Sequence, residues 1–161
     1  MKYLIVFPIV FALAIATHAQ EESASPAATD TSKFAQALEA QIGCKEELQP
    51  AKAIRALLRA GVISARYDEE DSVSYYPVKK PLTVFGYRVL SVIAFDPDLP
   101  FERGPGTLPP VLLGILVADP MKAVKAKLGY LESRNVIIDE HVERTGPSHR
   151  PHTRTEIWCS R

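Results

Sequence analysis

Apolar residues recur at helical spacing in three segments of the chain, at 33–42, 50–60 and 120–128. Ser32 can cap the first segment, and proline opens the other two, where its missing N–H would have no intrahelical partner. Gly43, Gly61 and Gly129 follow the three segments, and glycine is favoured where a helix ends. The pattern therefore predicts three helices.

Alternating or continuous apolar runs indicate five strands, at 72–78, 82–95, 111–117, 136–144 and 153–160. The 82–95 segment is apolar on both faces, as in a central strand that is covered on both sides, and Gly86 within it suggests a β-bulge. Residues 62–66 fit either a short strand or an extended link. We expect the last two strands to pair as a hairpin.

The order of these elements predicts an α+β fold. We expect a mostly antiparallel sheet of about five strands, with the two N-terminal helices and the one inserted helix packed on it. No internal repeat is visible in the sequence.

Residues 1–19 have the features of a secretory signal peptide. Lys2 precedes an apolar run at 3–16, and Thr17 and Ala19 supply small residues before the cleavage point. The run is shorter than the roughly 20 residues of a membrane-spanning helix, and Pro8 interrupts it. A buried N-terminal core helix is the alternative. We expect cleavage after Ala19, no stable membrane anchor, and a periplasmic or secreted location.

The small polar residues 20–31 predict a flexible leader, which leaves 32–161 as a single α+β domain. The whole chain has 161 residues and a formal net charge of +0. Lys2 is the only charged residue in 1–19, so the remainder carries about −1. A chain so close to neutral argues against nucleic acid or an anionic membrane surface as its main partner.

The chain has two cysteines, Cys44 and Cys159. In an oxidising compartment two cysteines most simply form a disulfide, and the export signal favours that interpretation over free thiols. The bridge would close a loop of about 115 residues, which the chain-entropy model values at roughly 4–5 kcal/mol.

His141, His149 and His152 are the histidines that follow the signal segment. Asp139, Glu140 and Glu143 lie near these histidines in the sequence. The histidines and acids together could form a metal site, and the acids alone a pair of catalytic carboxylates, but the spacing of the histidines matches no strong zinc pattern. An exposed loop explains the histidines more simply. Gly104 and Gly106 alternate with proline and do not precede a helix, so no phosphate-binding loop and no cofactor are predicted.

Residues 96–110 form a long connection rich in proline and glycine. Loops of this length are often functional or disordered. Leu99 and Phe101 are apolar residues beside Glu102 and Arg103, and aromatic residues and arginine are enriched in interface hot spots. We expect these four residues to bind a partner; the alternative is that Phe101 folds back into the core.

Export, small size, one disulfide and one conspicuous loop together favour a binding protein over an enzyme. We expect a small exported protein that acts by contact with another protein, for example as an inhibitor or immunity protein against a toxin or cell-wall hydrolase. The alternatives are an exported hydrolase that depends on a metal or on carboxylates, and a structural subunit of a cell-envelope complex. In the last case another chain would cover the two-sided apolar strand around Val89.

Overall fold

A computed structural model describes residues 26–100, 109–143 and 152–161, and the side chains of these except at 26–30, 143 and 152. The elements of this part of the chain are α1 (Pro26–Ile42), α2 (Pro50–Arg59), β1 (Asp68–Glu70), β2 (Val73–Pro77), β3 (Thr83–Val84), β4 (Tyr87–Phe95), β5 (Leu112–Val117), α3 (Met121–Leu128), a short 3-10 helix (Gly129–Arg134), β6 (Val136–Glu143) and β7 (His152–Ser160).

The strands form one curled sheet in the order β1-β2-β4-β5-β7-β6, and β3 pairs with β4 beside this path. Every pair of neighbouring strands is antiparallel. The α+β class is confirmed, and so is the hairpin of β6 and β7. The sheet has seven strands in the described residues rather than about five. The extra strands are β1 and β3, which are too short to carry a periodic signal.

The main core lies between the helices and one face of the sheet. We call this the helix face and the opposite one the outer face. The core receives side chains from all three helices and from the strands that they cover. Its fully buried members include Leu38, Ile54, Ile115 and Ile157.

The ends of α1 and α2 share one motif but use different residues. In α2 the N–H of Gly61 donates to Leu58 and the N–H of Val62 to Leu57, with Gly61 at a φ of 63°. In α1 the corresponding left-handed residue is Cys44, at a φ of 50°, and not the predicted Gly43. A non-glycine residue is disfavoured in this conformation, so tertiary contacts hold Cys44 there.

The predicted strand at 82–95 is wrong in its first half. Phe85 and Gly86 both have positive φ and form a tight turn between β3 and β4, so Gly86 belongs to a hairpin and not to a bulge. The bulge of β4 lies between Val89 and Ser91. The extra residue places Val89 in the core of the helix face, not in register with Ile93 and Phe95 of the outer face.

Helix α1 begins at Pro26, whereas the sequence pattern predicts a start near Lys33. Part of the segment predicted as a flexible leader is therefore helical. Its alanines favour a helix, but its other residues lack the apolar spacing that marks a packed face. The predicted signal peptide at 1–19 lies outside the described residues.

Candidate functional site

The outer face of the sheet carries a second apolar cluster, separate from the main core. Its buried members come from the two central strands, and partly buried side chains from β2 and β7 pack against them. The buried residues are Ile93, Phe95, Leu112 and Leu116, and the residues around them are Val73, Tyr75 and Trp158. The helices lie on the other face and do not cover this cluster. Water must therefore be excluded by the curl of the sheet and by the side chains of Val73, Tyr75 and Trp158.

Gly114 lies at the centre of this face, directly opposite Trp158 in the ladder between β5 and β7. A Cβ on residue 114 would lie 2.5 Å from the Cβ of Trp158 and 2.7 Å from the backbone oxygen of Ile157. Real Cβ atoms do not approach so closely, so only glycine fits between the two strands. The close approach shows that the outer face is concave at this point.

Three polar side chains meet across the concave face. Glu156 Oε1 accepts a hydrogen bond from the hydroxyl of Tyr75 and another from Nδ1–H of His141, each at 2.8 Å. Tyr75 lies on β2, three strand intervals from β7, and in a flat sheet that separation is about 14 Å. The curl shortens the span that the two side chains must cross. We call these residues the Tyr–Glu–His cluster.

The contacts of the cluster indicate which of its atoms donate and which accept. A carboxylate only accepts, so the Nδ1 of His141 carries a proton and, in the neutral ring, Nε2 is the acceptor. The rings of Tyr75 and His141 lie 5.4 Å apart and tilted. Burial, and then the charge of Glu156, raise the pKa of Tyr75 well above its ordinary value. Tyr75 therefore remains a neutral donor to Glu156.

Two cavities of about 340 Å³ each share Tyr75 and His141 in their walls. One is also lined by Asp68 and Glu70 of β1 and by Arg154 of β7. The other is lined by Asp71 and by Glu140 of β6, among others. Both ends of the sheet thus contribute carboxylates to one concave surface, whose floor is apolar and whose rim is mostly acidic.

A third cavity of about 470 Å³ lies between α1 and α2 on the helix side of the molecule. Its floor includes Phe34, Leu38 and Leu57, while Lys52 and Glu47 lie at its edge. Charges of both signs surround this groove, so it offers no clear electrostatic preference for a ligand.

The loop predicted to bind a partner is described only at its two ends. Leu99 is 7% exposed and belongs to the main core. Phe101, Glu102 and Arg103 lie outside the described residues. The first turn of the loop is fastened to α2, because Asp96 Oδ2 accepts from the N–H of Ala51. Arg55 donates to the backbone oxygen of Asp98 at 2.7 Å.

Cys44 and Cys159 form the predicted disulfide, with their Cα atoms 5.7 Å apart. The bond joins the end of α1 to the last strand of the sheet. Cys159 is fully buried in the main core, whereas Cys44 is partly buried beside it. The disulfide agrees with an oxidising compartment.

The predicted histidine site is only partly described. His141 lies in the Tyr–Glu–His cluster, and His152 pairs with Glu143 in the β6–β7 ladder. His149 lies outside the described residues. Among the residues that the structure describes, no group of three or more histidine, cysteine or acidic side chains could hold a metal ion.

Tyr75 and Glu156 were not identified as site residues from the sequence. Alternation along β7 places Glu156 on the face opposite Ile157, and the same rule applied to β2 separates Tyr75 from Tyr76. Both alternation patterns can be read from the sequence. The contact between Tyr75 and Glu156 cannot, because it depends on the strand order β2-β4-β5-β7.

Comparison of the chain with known protein families, with curated proteins and with solved structures finds no significant match in any of the three. Within 26–100, 109–143 and 152–161, no helix is long and apolar enough to cross a membrane.

Proposed function

We propose that this chain is a small exported binding protein that acts by contact with another protein. The observation that supports this most is the concave outer face, where an apolar floor with half-buried Tyr75 and Trp158 is rimmed by carboxylates. Apolar and aromatic groups surrounded by polar ones are typical of protein interfaces.

Export supports the same proposal. The predicted signal peptide would carry the chain out of the cytoplasm, and the Cys44–Cys159 disulfide is the kind of bond that persists there. Inhibition of a toxin or a cell-wall hydrolase is the specific form that we propose for the binding. The loop at Phe101, Glu102 and Arg103 remains a proposed second contact.

A capture experiment with matched charge reversals tests the proposal. The bait is residues 20–161, as the wild type, as a D68K/E70K variant on the outer face, or as an E46K/E47K variant beside α2. All four replaced residues are exposed, and each pair changes the net charge equally. We expect the wild type and the E46K/E47K variant to recover one protein from the extracellular or periplasmic fraction.

The D68K/E70K variant should recover about tenfold less of that protein, because two rim carboxylates become cations. Recovery of no protein by the wild type would contradict the proposed function. Equal losses in the two variants would show that the contact does not depend on the outer face.

A second candidate function is hydrolysis, favoured by the geometry at His141. A histidine whose Nδ1–H is held by a carboxylate is oriented as a general base is in many hydrolases. Incubation of the purified protein with ester, phosphate and glycoside substrates, with H141Q as the control, separates this candidate from binding. Turnover that H141Q abolishes would support hydrolysis, and no turnover on any substrate would exclude this candidate for these classes.

A further inference from the structure

Strand β6 ends the sheet and pairs with β7 alone among the described strands. It has eight residues, whereas β1 at the other edge has three. A long edge strand presents a row of backbone donors and acceptors that can pair with another chain. The two edges therefore differ greatly in their capacity to accept a further strand.

Two hydrogen bonds identify which backbone groups of β6 face outward. The N–H of Arg161 donates to Val111 beside the start of β5, so alternation along β7 directs the backbone of Glu156 to Asp139 of β6. The N–H of Glu140 therefore faces outward, and it donates to Asp139 Oδ1 at 2.8 Å. Because outward and inward groups alternate along an antiparallel edge, Ile138 and Val142 also direct their N–H groups away from β7. Asp139 thus shields the middle of this edge.

The side chains along β6 give this edge a definite chemical character. Ile137 and Val142 are large apolar residues that are 37% and 47% exposed. The strand also carries Asp139, Glu140 and Glu143, and it has no lysine or arginine. An incoming strand would therefore meet apolar contacts at each end and negative charge between them.

This charge argues against a second copy of the chain as the occupant. Two β6 strands paired antiparallel about their middle would place Asp139 opposite Asp139, or Glu140 opposite Glu140, of the other copy, and like charges directly opposite destabilise a pair. The basic residues of an alternating strand share one face of the sheet, so such a strand would place opposite charge beside Asp139 on the outer face. The rim carboxylates Asp68 and Glu70 add to this preference.

We propose that the edge of β6 binds an extended, basic segment of the partner protein by adding it to the sheet as a further strand. This inference rests on the proposed function and names the part of the partner that is bound. Main-chain hydrogen bonds supply affinity, and the acidic residues select a basic segment over an acidic one. The segment displaces the Asp139 side chain from the N–H of Glu140.

The test uses an eight-residue peptide that alternates lysine with valine or threonine and has uncharged ends, titrated into the full mature chain. Amide chemical shifts report where it binds. We expect shifts concentrated on β6, and affinity that falls with added salt because the pairing is between exposed charges. The same peptide with alternate amides N-methylated keeps its charge but cannot donate to the edge.

The N-methylated peptide and a glutamate-for-lysine peptide should each bind at least about tenfold more weakly. On the protein side, E140P removes one outward N–H without removing a bond to β7, whereas E140Q removes only the charge. E140P should weaken binding more than E140Q does. If E140P fails to fold, the N-methylated peptide still tests the same hydrogen bonds.

Absence of shifts on β6 at about 1 mM peptide, or equal binding of the N-methylated peptide, would overturn the inference. Concentration-dependent dimerisation that the peptide does not affect would identify a second copy as the occupant and would also overturn it. If the peptide fails while D68K/E70K still loses the captured protein, the inference falls and the proposed function stands.

Discussion

Glu156 organises the outer face, because one of its oxygens accepts hydrogen bonds from both Tyr75 and His141. The three residues come from three strands, and Tyr75 also packs against the apolar cluster of the outer face. The cluster therefore has consequences for stability as well as for binding.

Replacement of Tyr75 by phenylalanine should flatten the dependence of stability on pH above about 10. Burial raises the pKa of Tyr75 in the folded protein, so above that pH the unfolded chain loses a proton that the folded chain keeps. Ionisation then favours the unfolded state, and stability declines as pH rises. Denaturant unfolding of wild type and Y75F between about pH 8 and 11 measures the slopes.

Exposed Tyr130 supplies the matched control for that experiment, since Y130F removes one phenol without touching the cluster. Burial also raises the pKa of Tyr76, so part of the decline should persist in Y75F. An equal flattening in Y75F and Y130F would contradict the prediction.

Replacement of Gly114 by alanine should lower the free energy of unfolding by about 1–3 kcal/mol. The new methyl group would meet Trp158 and the backbone of Ile157 at distances that force β5 and β7 apart. G129A is the control, because its Cβ would approach other atoms no closer than 4.0 Å and φ there is −56°. A G114A protein as stable as G129A would show that the face is less tightly curled.

At the scale of elements, α2 depends on a residue that lies far from it in sequence. Its N-cap residue, Gln49, makes no capping hydrogen bond with its side chain. Asp96, at the end of β4, instead accepts from the N–H of Ala51, and its negative charge suits the start of a helix. Asp96 thus connects the end of β4 and the loop that follows it to the first turn of α2.

Replacement of Asp96 by alanine should destabilise the protein by about 1 kcal/mol, the usual cost of losing a helix cap. Asp98 offers a close control, since it contacts Arg55 through its backbone oxygen and D98A keeps that atom. Chemical denaturation compares the two. Equal stability of D96A and D98A would contradict the capping role.

At the scale of the whole molecule, the disulfide connects the helical layer to the last strand across 115 residues of chain. The bond constrains the unfolded chain more strongly the longer the loop that it closes. The left-handed conformation of Cys44 costs free energy in the folded state and therefore offsets part of that stabilisation.

Two double variants separate these effects. C44A/C159A should lose about 2–5 kcal/mol of stability, as is usual when a native disulfide is removed. C44G/C159A should be more stable than C44A/C159A by about 1 kcal/mol, because glycine adopts positive φ without the steric cost. Thermal or denaturant unfolding checks both. A C44G/C159A protein no more stable than C44A/C159A would contradict the second effect.

Much of the fold was predictable because it depends on short-range signals. The ends of α2 follow from Pro50 and Gly61, and β5, β6 and β7 follow from their apolar runs. The turn at Phe85 was missed, since an aromatic residue rarely has positive φ; here the N–H of Phe85 donates to Glu39 of α1. The bulge in β4 was also predicted at the wrong position, because no residue type around Leu90 indicates a bulge.

The sequence by itself determined the three helices, the strongest strands and the pairing of the two cysteines, since periodicity, turn residues and the count of thiols are properties of the chain alone. Only the tertiary structure decided that Tyr75, His141 and Glu156 meet, that Gly114 lets the sheet curl, and that β6 ends it. These features depend on strand order and curvature, which arise when distant segments pack, and no local pattern encodes them.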